Sequence, residues 1–492
     1  MPQTRSRANR HASTTANLAF IVAAISLTLA TFLGQNQQFV DLAIAASVLC
    51  GLIGIFTNAI VRAPFLAWAL TPVGLMLCFM ILAFGLVPTM WALDLHQPWE
   101  EVRGREDSAV AAGILLLAAF AVGVWIARPK FERGDSPNFT HPCLSMFLFG
   151  CFLIGLTGYL LLAVVAGGPL ALLHTLADRR DSLAGTGPLR SLLLVAAVGC
   201  LAGIAQSDKS SNQTRLTWLC GITYFALNLL TGARFQALII VIAAFAVHVR
   251  IHGPSRAVIQ KIVLALLAAV PASTFYALRV RQGLTYGTDV QVVDDSSAIS
   301  ALGSLVGPFV NGGIDSLRTL GVVAEQAPTL GFNVSPLIGS VTNVIPRSLW
   351  EGKPDGSATE FSARYFPDRW ADGTGVPPSI SAELMNTFGF VGGLFAMAVV
   401  GLLIARGSVA LYNRSSWWSL IVLGLITADS LQLVKGGSDG FVRSVTMQGV
   451  AILIAMSWSK IARAFHPSRR RKPFPRRPAV QRASVQRQIL RH

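Results

Sequence analysis

The chain alternates long apolar runs with short polar breaks, from near its start almost to its end. Runs of about 20 residues match the hydrocarbon thickness of a bilayer. The pattern predicts an all-α polytopic membrane protein of about twelve transmembrane helices. They fall at residues 18–34, 39–61, 64–88, 108–127, 143–166, 191–206, 216–232, 235–249, 262–278, 384–405, 416–434 and 444–461. The first run lacks a convincing small-residue cleavage site and is followed at once by another span. It therefore reads as a retained helix rather than a signal peptide.

Composition supports this pattern. Of 492 residues, 53% are hydrophobic and 13% charged, against about 25% charged in soluble chains, which excludes a soluble enzyme. The net charge of +16 by itself points to a polyanion such as nucleic acid, but its placement points elsewhere. Fourteen positive charges sit at the two ends. Arg5, Arg7 and Arg10 lie before the first span, eleven bases lie between Lys460 and His492, and neither end holds an acid. By the positive-inside rule both termini are cytoplasmic, as an even number of spans requires. With that topology the inner side carries +22 and the outer side −6.

The chain divides into a basic N-terminus (1–17), nine spans (18–278), a large extracytoplasmic loop (279–383), three spans (384–461) and a basic, disordered tail (462–492). Attraction to anionic membrane lipids accounts for the tail without a nucleic-acid partner. Loops longer than about 15 residues are usually functional or disordered. Trp350, Phe361, Tyr365, Phe366 and Trp370 argue for order in this one. Apolar spacing over residues 297–326 predicts short helices along the membrane surface, broken near Gly307-Pro308 and Gly312-Gly313. Residues 343–378 read as an irregular cap.

Polar residues within or at the ends of spans carry the chemistry. A charge at a helix centre costs about 2.5–3.5 kcal/mol on insertion scales. Arg234 ends the tight turn Thr231-Gly232-Ala233-Arg234, Asp429 lies in span eleven, and Glu383 and Asn386 open span ten. Arg279 and Arg281 close span nine, and Arg443 opens span twelve. All face the outer half of the membrane in this topology. The alternative for the end-of-span arginines is snorkelling to lipid phosphates. The six cysteines (Cys50, Cys78, Cys143, Cys151, Cys200, Cys220) lie in or beside apolar runs. They show neither metal-ligand spacing nor a disulfide framework, so they read as small buried hydrophobes. No Walker-type loop is present. Guanidinium groups bind phosphates bidentately and offset charge on a departing diphosphate. A carboxylate or histidine would deprotonate a sugar hydroxyl. Together these point to glycosyl transfer from a lipid-diphosphate donor. A transporter or flippase of lipid-linked glycans is the reading from another class, but internal halves are not evident.

The stretch Pro346-Arg347-Ser348-Leu349-Trp350-Glu351-Gly352-Lys353-Pro354 resembles a P-R-x-x-W-x-x-K-P segment of bacterial oligosaccharide repeat-unit polymerases of the O-antigen polymerase type. Ser379 to Gly393, with Glu383, Asn386, Gly389 and Gly392, is similar to the start of the span that follows their large outer loop. The Thr231–Arg234 turn resembles their small-Gly-x-Arg turn. The resemblance implies an integral-membrane glycosyltransferase fold in the bacterial cytoplasmic membrane. It implies polyprenyl-diphosphate-linked oligosaccharide as substrate and neither metal nor nucleotide cofactor. A chain-length regulator is a candidate partner. Ligation of finished glycan to another acceptor is the alternative within the same chemistry.

The resemblance matches Arg234, Arg347, Lys353, Glu383 and Asn386 to motif positions. With Arg279 added from the end of span nine, Arg234, Arg279 and Arg347 are assigned to the diphosphate, with Lys353 assisting; the alternative for Arg347 and Lys353 is a loop salt-bridged to Glu351 and Asp355. Glu383 is the preferred base, with Asp429 or His174 as alternatives; the other reading of Glu383 is an acid favoured by the helix dipole. Arg179, Arg180, Asn386 and Trp350 are candidates for the glycan. Some members carry an R-x10-G pattern in two outer loops. Here Arg190 and Ser191 stand at that spacing from Arg179 and Arg180, so which arginines hold the glycan stays open.

Overall fold

The computed structural model describes residues 68–92, 102–131, 143–168, 187–206, 210–230, 234–253, 316–326, 331–342, 345, 349–371, 375–414 and 416–465. Predicted spans 18–34, 39–61 and 262–278 lie outside these residues. Among the described residues the secondary structure is helical, with no strand. The helices are α1 (Pro72–Ile81), continued through a π turn (Leu82–Leu86) into α2 (Val87–Ala92), then α3 (Glu106–Ala127) and α4 (Leu144–Val165). Next come α5 (Gly187–Ala205), α6 (Ser211–Leu230) and α7 (Arg234–His252). The loop helices are α8 (Ser316–Ala324), α9 (Ser335–Val341), α10 (Ser357–Tyr365) and α11 (Pro367–Ala371). Two long helices follow, α12 (Ile380–Tyr412) and α13 (Trp417–Ala464).

Four of these, α3, α4, α12 and α13, are long and apolar enough to cross a membrane. Helices α3 and α4 and the long arm of α12 are apolar nearly all round, as expected of helices that pack on one side and meet lipid on the other, whereas α13 carries Asp429, Lys435 and Asp439. Val122, Phe149, Leu160, Val391, Phe395 and Leu403 are exposed, whereas Phe120, Phe147, Leu148 and Met397 are wholly buried. Two buried clusters form the interior. One joins α1, α3, α8 and α12; the other joins α4, α5, α6, α7 and α13. Between α3 and α12 the backbones nearly touch. A methyl at Gly401 would lie 2.3 Å from the Phe120 carbonyl oxygen, so glycine is required there. Small residues that admit close approach are the usual means of packing apolar helices in lipid, where burial gives little drive.

Helix α13 is two antiparallel arms. Ser444 Oγ donates to Asp429 Oδ1 at 2.9 Å. On an unbroken helix those residues would be about 22 Å apart along the axis. Trp417 packs on Phe147, and Trp458 Nε1 donates to the neighbouring Met146 carbonyl, so both ends of α13 reach one end of α4. The reversal is at Gly437, with φ 62° and ψ −162°. The arms coincide with the predicted runs 416–434 and 444–461. Helix α12 also reverses, at Gly389 (φ 69°, ψ −172°). Its short arm, residues 380–388, lies back against the long arm. A Cβ at Gly393 would meet Met385 Cα at 3.1 Å, although about 12 Å of helix rise separates the two residues. Both reversals use backbone conformations open essentially to glycine alone.

The loop differs from its predicted form. Helix α8 does not lie along a surface: residues 316–323 are buried on every side. It is wedged between the two reversals. Ser316 Oγ donates to the Val434 carbonyl at 3.4 Å, and Thr319 Oγ1 donates to Ser379 Oγ at 3.0 Å. Ser379 is the N-cap of α12 and accepts from Ala382 N. The expected irregular cap contains the short helices α10 and α11. Cys78, Cys143, Cys151, Cys200 and Cys220 are free thiols, and all but Cys78 are buried.

Gly389→Ala and Gly437→Ala should each lower the apparent melting temperature of the detergent-purified protein by several degrees, since the strain is about 1–3 kcal/mol. At Gly437 the new methyl also sits 2.6 Å from Glu383 Oε2. Gly407→Ala, with open space around it, is the control and should be neutral. Equal melting temperatures for all three would contradict the two reversals.

Candidate functional site

The end of the bundle that carries the loop is built around Glu383. This residue lies in the first turn of α12 and is 2% exposed. Its Oε2 accepts from Ser438 N at 2.6 Å, and its Oε1 accepts a short hydrogen bond from Ser438 Oγ. Ser357, at the start of α10, stands beside the same carboxyl, and Ser340 Oγ donates to Ser357 Oγ at 2.9 Å. The Ser438 amide is available because the reversal at Gly437 starts a new helical arm, whose first N–H groups lack intrahelical partners. A carboxylate at that N-terminus meets the positive end of the arm's dipole.

Asp439, also buried, lies close enough to Glu383 for the two carboxyls to interact. It is packed over the loop backbone, and a Cβ at Gly356 would stand 3.1 Å from Asp439 Oδ2. Lys353 is 8% exposed, and its Nζ donates to the Ile345 carbonyl at 2.9 Å. Arg347 lies outside the described residues. Trp350 and Leu349 are exposed on the same segment. Asn386 Oδ1 accepts from Tyr365 Oη at 2.8 Å, so Asn386 ties α10 to the short arm of α12. Nearby, Asn333 N donates to the Thr387 carbonyl.

The side chain of Arg234 is not among those described, but its backbone opens α7. A Cβ on Gly424 of α13 would meet the Ala243 carbonyl at 3.0 Å, and Arg250 Nε donates to the Tyr412 carbonyl. Tyr412 precedes the start of α13, so α7 runs antiparallel to the first arm. Nine residues beyond Ala243, about 13 Å, bring Arg234 level with Leu433, next to the Gly437 reversal. No protein-family model, curated protein or solved structure matches the chain.

The predicted base candidates do not converge. Asp429 is fully buried between the arms of α13, about 12 Å of helix below Gly437. There it meets Ser444, with Tyr224 and Gln448 nearby, and its Oδ2 has no well-formed hydrogen bond. His174, Arg179, Arg180 and Arg279 lie outside the described residues. The sequence reading missed Ser438, Asp439 and Ser357. A signal was present for the first two. Lys435-Gly436-Gly437-Ser438-Asp439-Gly440 puts three glycines and two charges between apolar runs, a strong turn mark. It also missed Arg318, buried on α8 with its guanidinium over the Phe366 ring. Among the described residues no His, Cys, Asp and Glu group is arranged to hold a metal ion.

On the loop, burial pushes the Glu360 carboxyl above the usual carboxylate range; Arg364 offsets part of this and Asp355 adds to it. A carboxyl whose folded pKa lies above its unfolded one costs stability once pH exceeds the ordinary glutamate value of about 4.3. Glu360→Gln should therefore raise the melting temperature at pH 7 and leave it unchanged well below pH 4. A shift of equal size at both pH values would contradict the burial of that carboxyl.

Proposed function

We propose that the chain polymerises lipid-linked oligosaccharide repeat units at the outer face of the bacterial cytoplasmic membrane. It transfers a growing glycan from polyprenyl diphosphate to a sugar of a second lipid-linked unit. The supporting observation is convergence at one end of the bundle. The Trp350–Pro354 segment, the Ser379–Gly393 segment and the start of the Arg234 helix are far apart in sequence. The Ser379–Gly393 segment brings Glu383 to the Gly437 reversal, Gly356, two residues past Pro354, packs on Asp439, and helix rise puts the start of the Arg234 helix level with Leu433.

On this reading the twelve apolar runs are twelve spans of an integral-membrane glycosyltransferase, with both termini cytoplasmic. The acceptor hydroxyl attacks the anomeric carbon of the donor glycan. The bond from that carbon to the diphosphate oxygen breaks, and its electron pair leaves with the diphosphate. Arg234, Arg279 and Arg347 offset the departing charge, with Lys353 assisting. Glu383 takes the hydroxyl proton. Trp350, Asn386, Arg179 and Arg180 contact the glycan, for which an exposed indole offers a flat apolar face. The donor is already activated, so the reaction draws on no nucleotide.

Cells in which the chain carries Arg234→Ala or Glu383→Gln, at unchanged protein level, should accumulate single lipid-linked units, with long polymer reduced at least a hundredfold. Gel analysis of extracted glycans reads this directly. Accumulation of lipid-linked polymer instead would assign the chain to ligation, and wild-type polymer from both variants would remove these residues from the chemistry.

A further inference from the structure

The surroundings of Glu383 raise a question that its role as base leaves open. Glu383 is 2% exposed, with Ser438 N on Oε2 and Ser438 Oγ on Oε1, so an acceptor hydroxyl reaches neither oxygen unless a neighbouring group moves. The Ser438 N–H is part of the backbone at a glycine reversal and cannot move without unwinding the arm. Ser357 is 4% exposed and is backed by the wholly buried Ser340, so no sugar reaches Glu383 from that side. The Ser438 side chain is different. Ser438 is partly exposed, whereas Ser357 is buried. Its hydroxyl also turns about a single χ angle between staggered wells.

Resting on the polymerase reading above, we propose that Ser438 Oγ stands in for the acceptor hydroxyl and keeps Glu383 closed until an acceptor sugar displaces it. The exchange is between like groups, since each is an alcohol O–H donating to Glu383 Oε1. The Ser438 N–H stays on Oε2 throughout and holds the carboxylate in orientation. With Ser438 rotated away, the acceptor hydroxyl donates to Oε1. Its proton passes to Glu383 as the new carbon–oxygen bond forms. Ser438 is therefore a gate over the base rather than a catalytic residue. The closed form also has a use. Water admitted to Oε1 would attack the same anomeric carbon, release free glycan and lipid diphosphate, and waste the activated donor. A resident hydroxyl that only a well-bound acceptor displaces disfavours that loss.

The test uses full-length protein in liposomes, with lipid-linked units extracted from cells lacking the chain. Ser438→Ala should lower the acceptor KM about tenfold, the worth of one charge-assisted hydrogen bond that no longer has to be broken. It should also release free reducing-end glycan that the wild type does not. Ser438→Thr, which keeps the hydroxyl, should behave as wild type. If Ser438→Ala is not recovered folded, Ser438→Cys, a weaker donor, should shift both readouts in the same direction. An unchanged or raised KM with no free glycan would overturn the gate. Glu383→Gln separates the two levels: full transfer by that variant defeats the base assignment itself, whatever Ser438 does.

Discussion

A carboxylate buried at the end of an apolar bundle must be met by donors, and at Glu383 this need organises the loop end of the protein. An ionised carboxyl without partners in such surroundings would cost several kcal/mol. Here both shown donors belong to Ser438, 55 positions later in the chain. Bringing them to Glu383 requires α13 to turn back at Gly437.

That arrangement links covering and chemistry. Helix α8 holds the N-cap of α12 through Thr319 and the end of the first α13 arm through Ser316. The Tyr365–Asn386 bond and the Asn333–Thr387 backbone bond fix the later loop on the same short arm. The loop is therefore built into the bundle end instead of resting on it. A roof attached in this way limits the access of water to Glu383.

Much of this was legible in the sequence, and the reasons for the rest are physical. Bilayer thickness sets the length of an apolar run, so α3, α4 and the arms of α13 fall on predicted apolar runs, and the gap between 434 and 444 marked the hairpin. The predicted run 384–405 is instead broken at Gly389, and Glu383 and Asn386, visible as polar residues at its start, lie on the short arm folded back against the rest. Helix α8 was misplaced because one-sided apolar spacing suits a membrane surface and a protein interface equally. Its Ser316 and Thr319 are satisfied by Val434 and Ser379, partners no local pattern reveals. Ser438 escaped notice because half its contribution is a backbone N–H, and its partner is fixed only by tertiary pairing. The roughly 12 Å of helix between the levels of Asp429 and the Gly437 turn likewise depends on where the chain reverses.

The most direct test is chain growth in a defined system. Purified wild-type protein in liposomes, given only lipid-linked repeat units on the face that carries the loop, should build a ladder of longer glycans and release lipid diphosphate without nucleotide, metal or ion gradient. Units moved across the bilayer without lengthening would contradict the account and make the chain a transporter.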